Sequence, residues 1–142
     1  MREIKFRAWI KNKKFGREMF DVVMISWVGQ KVILSGRGGS VSLDECELMQ
    51  YTGRKDKNVK EIYEGDIVRH YLWGIAIVKF GEGTNIGGGD SSAYFYGYYL
   101  EIQNRRDTWG DNEVDSGCFR DTSEIEVIGN IYENPELLKE AK

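Results

Sequence analysis

The sequence predicts an all-β fold of the barrel or sandwich kind. Three observations predict it. Apolar and polar residues alternate at period two in several short segments, 17 glycines beside one proline supply frequent turns, and only the last ten residues read as a helix. A chain of 142 residues suits one compact domain with a sizeable core.

The first segment, EIKFRAWI, places Ile4, Phe6, Ala8 and Ile10 on one side and Lys5, Arg7 and Trp9 on the other, which is the pattern of a strand. A polar loop around Gly16 leads to EMFDVVMISW, rich in β-branched and aromatic residues, and past VGQ the short run KVILS completes a hairpin. GRGGS (36–40) interrupts regular structure and marks the end of an N-terminal β-meander, residues 1–40, ahead of a main unit at 41–142, the two forming one compact domain overall. Ser42 and Glu45 have capping-box spacing for one helical turn, and CELMQY after them reads as a strand.

The run LMQYTGRKDKNVKEIYEGDIV (48–68) reads as punctuation between strands. Gly53 ends one element, KDKN makes a tight turn, EIY resumes extended chain and EGD turns it again. Gly65 supplies a positive φ, and Asp66 is expected to bond backbone amides two residues on, so that Ile67 and Val68 enter a new strand. IVRHYL, a turn at Trp73 and Gly74, and IAIVKF form a hairpin. A Gly-rich loop from Gly81 to Ser92 leads to the aromatic strand YFYGYYLEIQ, and a polar loop from Asn104 to Asp121 precedes the last strand, SEIEVIGNIY. ENPELLKEAK closes the chain as a short helix with Asn134 as N-cap and Pro135 in its first position.

Charge and cysteine usage bound the function classes. The net charge of −3 divides unevenly: residues 1–70 hold 14 Lys/Arg against 10 Asp/Glu, and residues 71–142 hold 6 against 13. A chain acidic overall lacks the broad positive face of a nucleic-acid binder, while its oppositely charged halves suit head-to-tail self-association. No apolar run approaches the roughly 20 residues of a membrane span, and MREIKFRAW is no signal peptide, which predicts a cytoplasmic protein without membrane contact. Cys46 and Cys118, far apart and without CxxC spacing, read as reduced thiols.

Three blocks, KFRAW (5–9), the 48–68 run and EVIGNIYENPELL (126–138), carry a resemblance to the YopX-like family of phage and prophage proteins, whose biochemical function is unknown. The resemblance implies a β-rich fold with an SH3-like small barrel beginning at YEGDIV, a bacterial cytoplasmic location and no cofactor. The sequence departs from the family pattern at Arg54, where Leu is usual, at Val59, where Gly is usual, and at Ile10, where an acidic residue is usual. A β-branched residue resists positive φ, so Val59 predicts a turn type different from the family's.

The chemical candidates are sparse. His70 is the only histidine and has no sequence partner for a triad or a zinc site. Cys46 and Cys118 match no nucleophile signature. GEGTNIGGGD lacks the Lys-Ser or Lys-Thr of a phosphate loop, and Asp107, Asp111, Glu113 and Asp115 do not follow the EF-hand pattern. The sequence therefore predicts neither a catalytic residue nor a metal site, and no enzyme.

Candidate interaction residues are Tyr94, Tyr96, Tyr98 and Tyr99 on the aromatic strand, with Lys11, Lys13, Lys14 and Arg17 in the basic loop. Gly53, Gly65 and Asp66 are assigned to turn structure. Strand aromatics on small barrels clamp peptides or stack bases. The expected function is a non-enzymatic interaction or self-assembling module that binds a protein partner or forms a homo-oligomer. The alternative is an SH3-like nucleic-acid binder in which the basic loop positions phosphates and the tyrosines stack on bases.

Overall fold

The computed structural model describes residues 3–11, 17–36, 39–70, 74–85, 93–103, 116–118 and 122–140. The all-β expectation holds: strands and turns make up nearly everything described, with one five-residue helix. By its internal contacts the chain forms two units, Met1–Gly53 and Arg54–Lys142.

In the first unit the strands are β1 (Phe6–Ile10), β2 (Glu18–Ser26), β3 (Lys31–Leu34), β4 (Ser40–Ser42) and β5 (Cys46–Lys55), which runs two residues into the second unit. They lie antiparallel in the order β4-β3-β2-β1-β5. Period-two alternation puts Ala8 and Ile10 on the face where Val32, Leu34, Val41 and Cys46 form the core, with Phe20, Val22, Leu43 and Leu48 packed around it. Burying each larger aliphatic side chain there contributes about 1.5–3 kcal/mol. Ile4, expected on that face, precedes the strand and is exposed. The Ser42–Glu45 spacing produces a 3-10 turn at Leu43–Glu45, with Ser42 Oγ accepting from Asp44 N at 3.4 Å.

The register of β2 against β3 shifts between Val22 and Met24, because Val23 is inserted as a bulge. Ahead of the bulge Val22 faces the core; beyond it Ile25 stands opposite the buried Val32, and Val23 and Met24 are left exposed. Sequence alternation alone does not reveal that slip.

The second unit holds β6 (Glu61–Tyr63), β7 (Asp66–His70), β8 (Gly74–Asn85), β9 (Ala93–Ile102), β10 (Ser116–Cys118), β11 (Ile125–Asn130) and α1 (Glu136–Glu140). Five of these strands form an antiparallel sheet in the order β10-β9-β8-β7-β11. Its core is Ile62, Val68, Ala76, Val78, Leu100 and Ile125, against which Tyr98 and Val127 pack. The Gly-rich stretch expected to begin a loop at Gly81 instead continues β8 to Asn85, in register with β9 down to the pair Asn85↔Ala93. Cross-strand pairing with β9 overrides the weak strand propensity of glycine there.

At the C-terminus the helix begins at Glu136, with Leu137 N bonded to Asn134 O at 3.1 Å. The side chain of Asn134 does not act as the expected cap; its Oδ1 turns back to accept from Asn130 N at 3.3 Å. Asn130 Oδ1 in turn accepts from Tyr132 N and Glu133 N at 3.0 and 2.8 Å, so two asparagines close the turn between β11 and α1. Among the described residues no helix is long and apolar enough to cross a membrane.

Candidate functional site

The central run is organised by two buried carboxylates. After Gly53, at φ 84°, β5 ends in a turn on which Asp56 closes. Asp56 Oδ1 accepts from Asn58 N and Lys60 N at 2.8 and 2.9 Å, while Oδ2 accepts from Val127 N at 2.9 Å. The turn lies along β11, which pairs with β7 on its other side: Lys57 N donates to Ile125 O at 2.9 Å, and Thr122 Oγ1 donates to Lys55 O at 2.6 Å. A sheet edge that would otherwise offer unpaired amides is thus occupied by a turn and a carboxylate. Burial pushes the Asp56 carboxyl up, but the three backbone N–H bonds and the nearby Lys60 outweigh it and hold the group below the usual carboxylate range.

Val59 corrects one sequence expectation. It adopts φ 64°, so the residue is held in the left-handed conformation despite its β-branch. The hydrogen bonds on either side, Val59 N to Asp56 O and Lys60 N to Asp56 Oδ1, hold the residue there, with its side chain 70% exposed.

The second carboxylate, Asp66, is 1% exposed. Its Oδ2 accepts from Tyr63 N at 2.8 Å, a bond that runs backwards across the EGD turn. Gly65 has φ 86°, and it joins two strands by donating its N–H to Val78 O at 2.8 Å and accepting Ile131 N at 3.0 Å. Sequence reading found Gly53, Gly65 and Asp66 but missed Asp56. The KDKN turn carried half of its signal, an aspartate in position to bond amides within its own turn. The other half, Val127, lies 71 residues away.

The chemical candidates are placed as follows. His70 is buried on β7, with Nε2 3.4 Å from Glu124 Oε2. Cys46 is a free, buried thiol with Sγ 3.8 Å from Leu43 O; burial, with Glu47 and Glu45 nearby, pushes its pKa up and away from a reactive thiolate. Cys118 lies on β10 opposite Tyr99. The loop carrying Asp107, Asp111, Glu113 and Asp115 is outside the described residues, and among the described residues no group of His, Cys, Asp and Glu is arranged to hold a metal.

The interaction candidates divide. Lys11 is ion-paired with Glu47, and Arg17 is exposed just before β2; Lys13 and Lys14 are outside the described residues. Tyr98 packs against the core beside Leu100, with its ring edge-on to Phe80 at 4.9 Å, so it is packing and not an open stacking platform. Tyr99 is half-buried opposite Lys79, whose ammonium pairs with Glu101 at 2.6 Å. Tyr94 and Tyr96 stand in register with Thr84 and Glu82 toward the connected end of the hairpin.

One surface escaped the sequence reading. The turn Trp27–Gln30 joins β2 to β3, and Trp27 is 68% exposed, Val28 101%, Val23 68% and Met24 52%. The turn is fixed from both sides: Gly29 N donates to Ser26 Oγ at 3.1 Å, and Gln30 O, from a residue at φ 51°, accepts Leu43 N at 3.0 Å. The legible signal was SWVGQ, a turn with tryptophan and valine where turns favour Gly, Asn, Asp and Ser.

Two antiparallel sheets, turns pinned by carboxylates and an apolar hairpin tip define an all-β protein whose most distinctive sequence run serves its architecture. The YopX protein family matches over residues 5–139, and the chain belongs to that family. A similar solved structure is the crystal structure of protein EF1440 from Enterococcus faecalis, 22% identical over 97% of this chain and 99% of that one, with a TM-score of 0.54, which establishes a shared fold. No curated protein matches the sequence.

Proposed function

We propose that this YopX-family chain is a non-catalytic interaction module of a phage or prophage, acting in the bacterial cytoplasm by binding a protein partner, with the second unit as an SH3-like frame. What supports the binding role is the β2–β3 tip. Large apolar side chains held outward on a hydrogen-bonded turn bring hydrophobic contact area that is already ordered, so little entropy is lost on docking. The nucleic-acid alternative gains little support, since Lys11 is engaged by Glu47 and Tyr98 by the core.

The test is capture by the immobilised protein from lysate of a bacterial host that also expresses an untagged copy of the chain. The wild type is compared with a Trp27→Ser/Val28→Ser variant whose circular dichroism is unchanged. A protein retained by the wild type and lost by the variant is the expected result. Equal retention by both, or none by either, overturns the reading.

A further inference from the structure

The β8–β9 hairpin outgrows the sheet that holds it. Among the described residues β7 is paired with β8 only from Gly74 to Ile77, and one further bond, Gly65 N to Val78 O at 2.8 Å, ends that contact. On the other side β10 is paired with β9 only from Tyr99 to Glu101. β8 and β9 nevertheless stay in register to the pair Asn85↔Ala93, so an outer ladder of two strands continues beyond the five-stranded part. Two strands without a third to brace them are marginally stable.

Where the ladder leaves the sheet, two glycines stand opposite each other, Gly81↔Gly97. Their φ angles are 149° and 156°, a conformation that residues with a Cβ rarely adopt. Packing does not require glycine at either position, since an added Cβ would meet nothing within 4 Å. What the pair lacks is the cross-strand side-chain contact that stiffens a ladder. One pair further in, the opposite holds: Phe80 and Tyr98 meet edge-on with ring centroids 4.9 Å apart, and Tyr98 packs on the core. Lys79, next along, pairs with Glu101 at 2.6 Å. A braced pair thus adjoins a bare one.

We infer that Gly81 and Gly97 form a hinge on which the outer ladder, Glu82–Asn85 with Ala93–Tyr96, pivots as a unit against the sheet. The hinge divides the aromatic run: Tyr94, Phe95 and Tyr96 belong to the pivoting strands, whereas Tyr98 and Tyr99 stay with the sheet. A partner that binds one orientation of the outer ladder better than the others shifts the population towards it. The hinge does not depend on the binding role of the β2–β3 turn.

Residual dipolar couplings of the weakly aligned, isotope-labelled full chain read the pivot directly, because they average over motions slower than tumbling. Couplings from β7, β11 and the inner parts of β8 and β9 define one alignment tensor. Those of the outer ladder are expected to fit a second tensor of their own, smaller in magnitude. A single tensor shared by both parts overturns the hinge, because the bend is then fixed; outer couplings that fit no tensor overturn it as well, because the ladder then frays. In a Gly81→Ala/Gly97→Ala variant each Cβ opposes the positive φ and the two methyl groups restore a cross-strand contact, so the tensors are expected to converge. A folded variant whose tensors differ as much as those of the wild type overturns the assignment to this glycine pair. Should the double variant not fold, Gly97→Ala alone is measured in the same way.

Discussion

The Trp27–Gln30 and Asp56–Lys60 turns are similar in size and both hold a non-glycine residue at positive φ, Gln30 at 51° and Val59 at 64°. They use their side chains in opposite ways. At the second, a carboxylate faces inward and accepts three backbone amides, one of them from β11. At the first, the backbone is satisfied by Ser26 and Leu43, and tryptophan and valine face water. A turn whose polar groups point in is being used for stability, whereas one whose apolar groups point out is stable by other means and is free for contact.

The difference can be broken most sharply at Asp56. Replacing it by alanine leaves three amides without their acceptor, and about 3 kcal/mol of stability should be lost in a denaturant titration. Ordinary stability in Asp56→Ala would end the contrast between the two turns. The same carboxylate sets an acid limit. Its folded pKa is depressed, so its stabilising bonds are complete above the unfolded carboxylate value of about 3.9 and are lost as pH falls through the folded value. Unfolding midpoints should therefore drop on acidification below about pH 4, and Asp56→Ala should flatten that part of the profile.

Gly65→Ala comes next, at about 1–2 kcal/mol, because its φ of 86° is one that a Cβ resists. Asp66→Ala should cost about as much, from its lost bond to Tyr63 N in a buried site. Binding through the hairpin tip should survive in both variants while they remain folded. A folded variant that loses binding would make the EGD corner a recognition site.

Smaller, and opposite in sign, is Val59→Gly. Releasing a β-branched residue from φ 64° should stabilise by about 0.5–1 kcal/mol once the greater entropy of glycine in the unfolded chain is counted, seen as a raised unfolding midpoint. A loss of stability would mean that the valine side chain makes a contact worth more than the strain. The smallest effect belongs to Trp27→Ser, which should leave stability within about 0.5 kcal/mol because the ring is mostly in water, while removing association.

By itself the sequence determined the all-β class, the hairpins and the turn positions, because period-two alternation and the chemistry of glycine and aspartate act within a few residues: Ala8 and Ile10 inward, Gly65 left-handed, Leu43–Glu45 as a short helical turn after Ser42. It also carried the family, in blocks at both ends and in the middle. Only the tertiary structure decided which side chains are satisfied and which are left over. Asp56 became the fastener of β11 because Val127 arrives from 71 residues away, and Asn134 turned from helix cap to strand clasp because the end of β11 lies beside it. Tyr98, one of a row of similar tyrosines, went to the core because it packs against Leu100 and Phe80, while Trp27, which composition alone would bury, stayed outside because it stands in the turn past the end of β2. Burial and pairing are properties of neighbours brought from far along the chain, and local pattern cannot specify them.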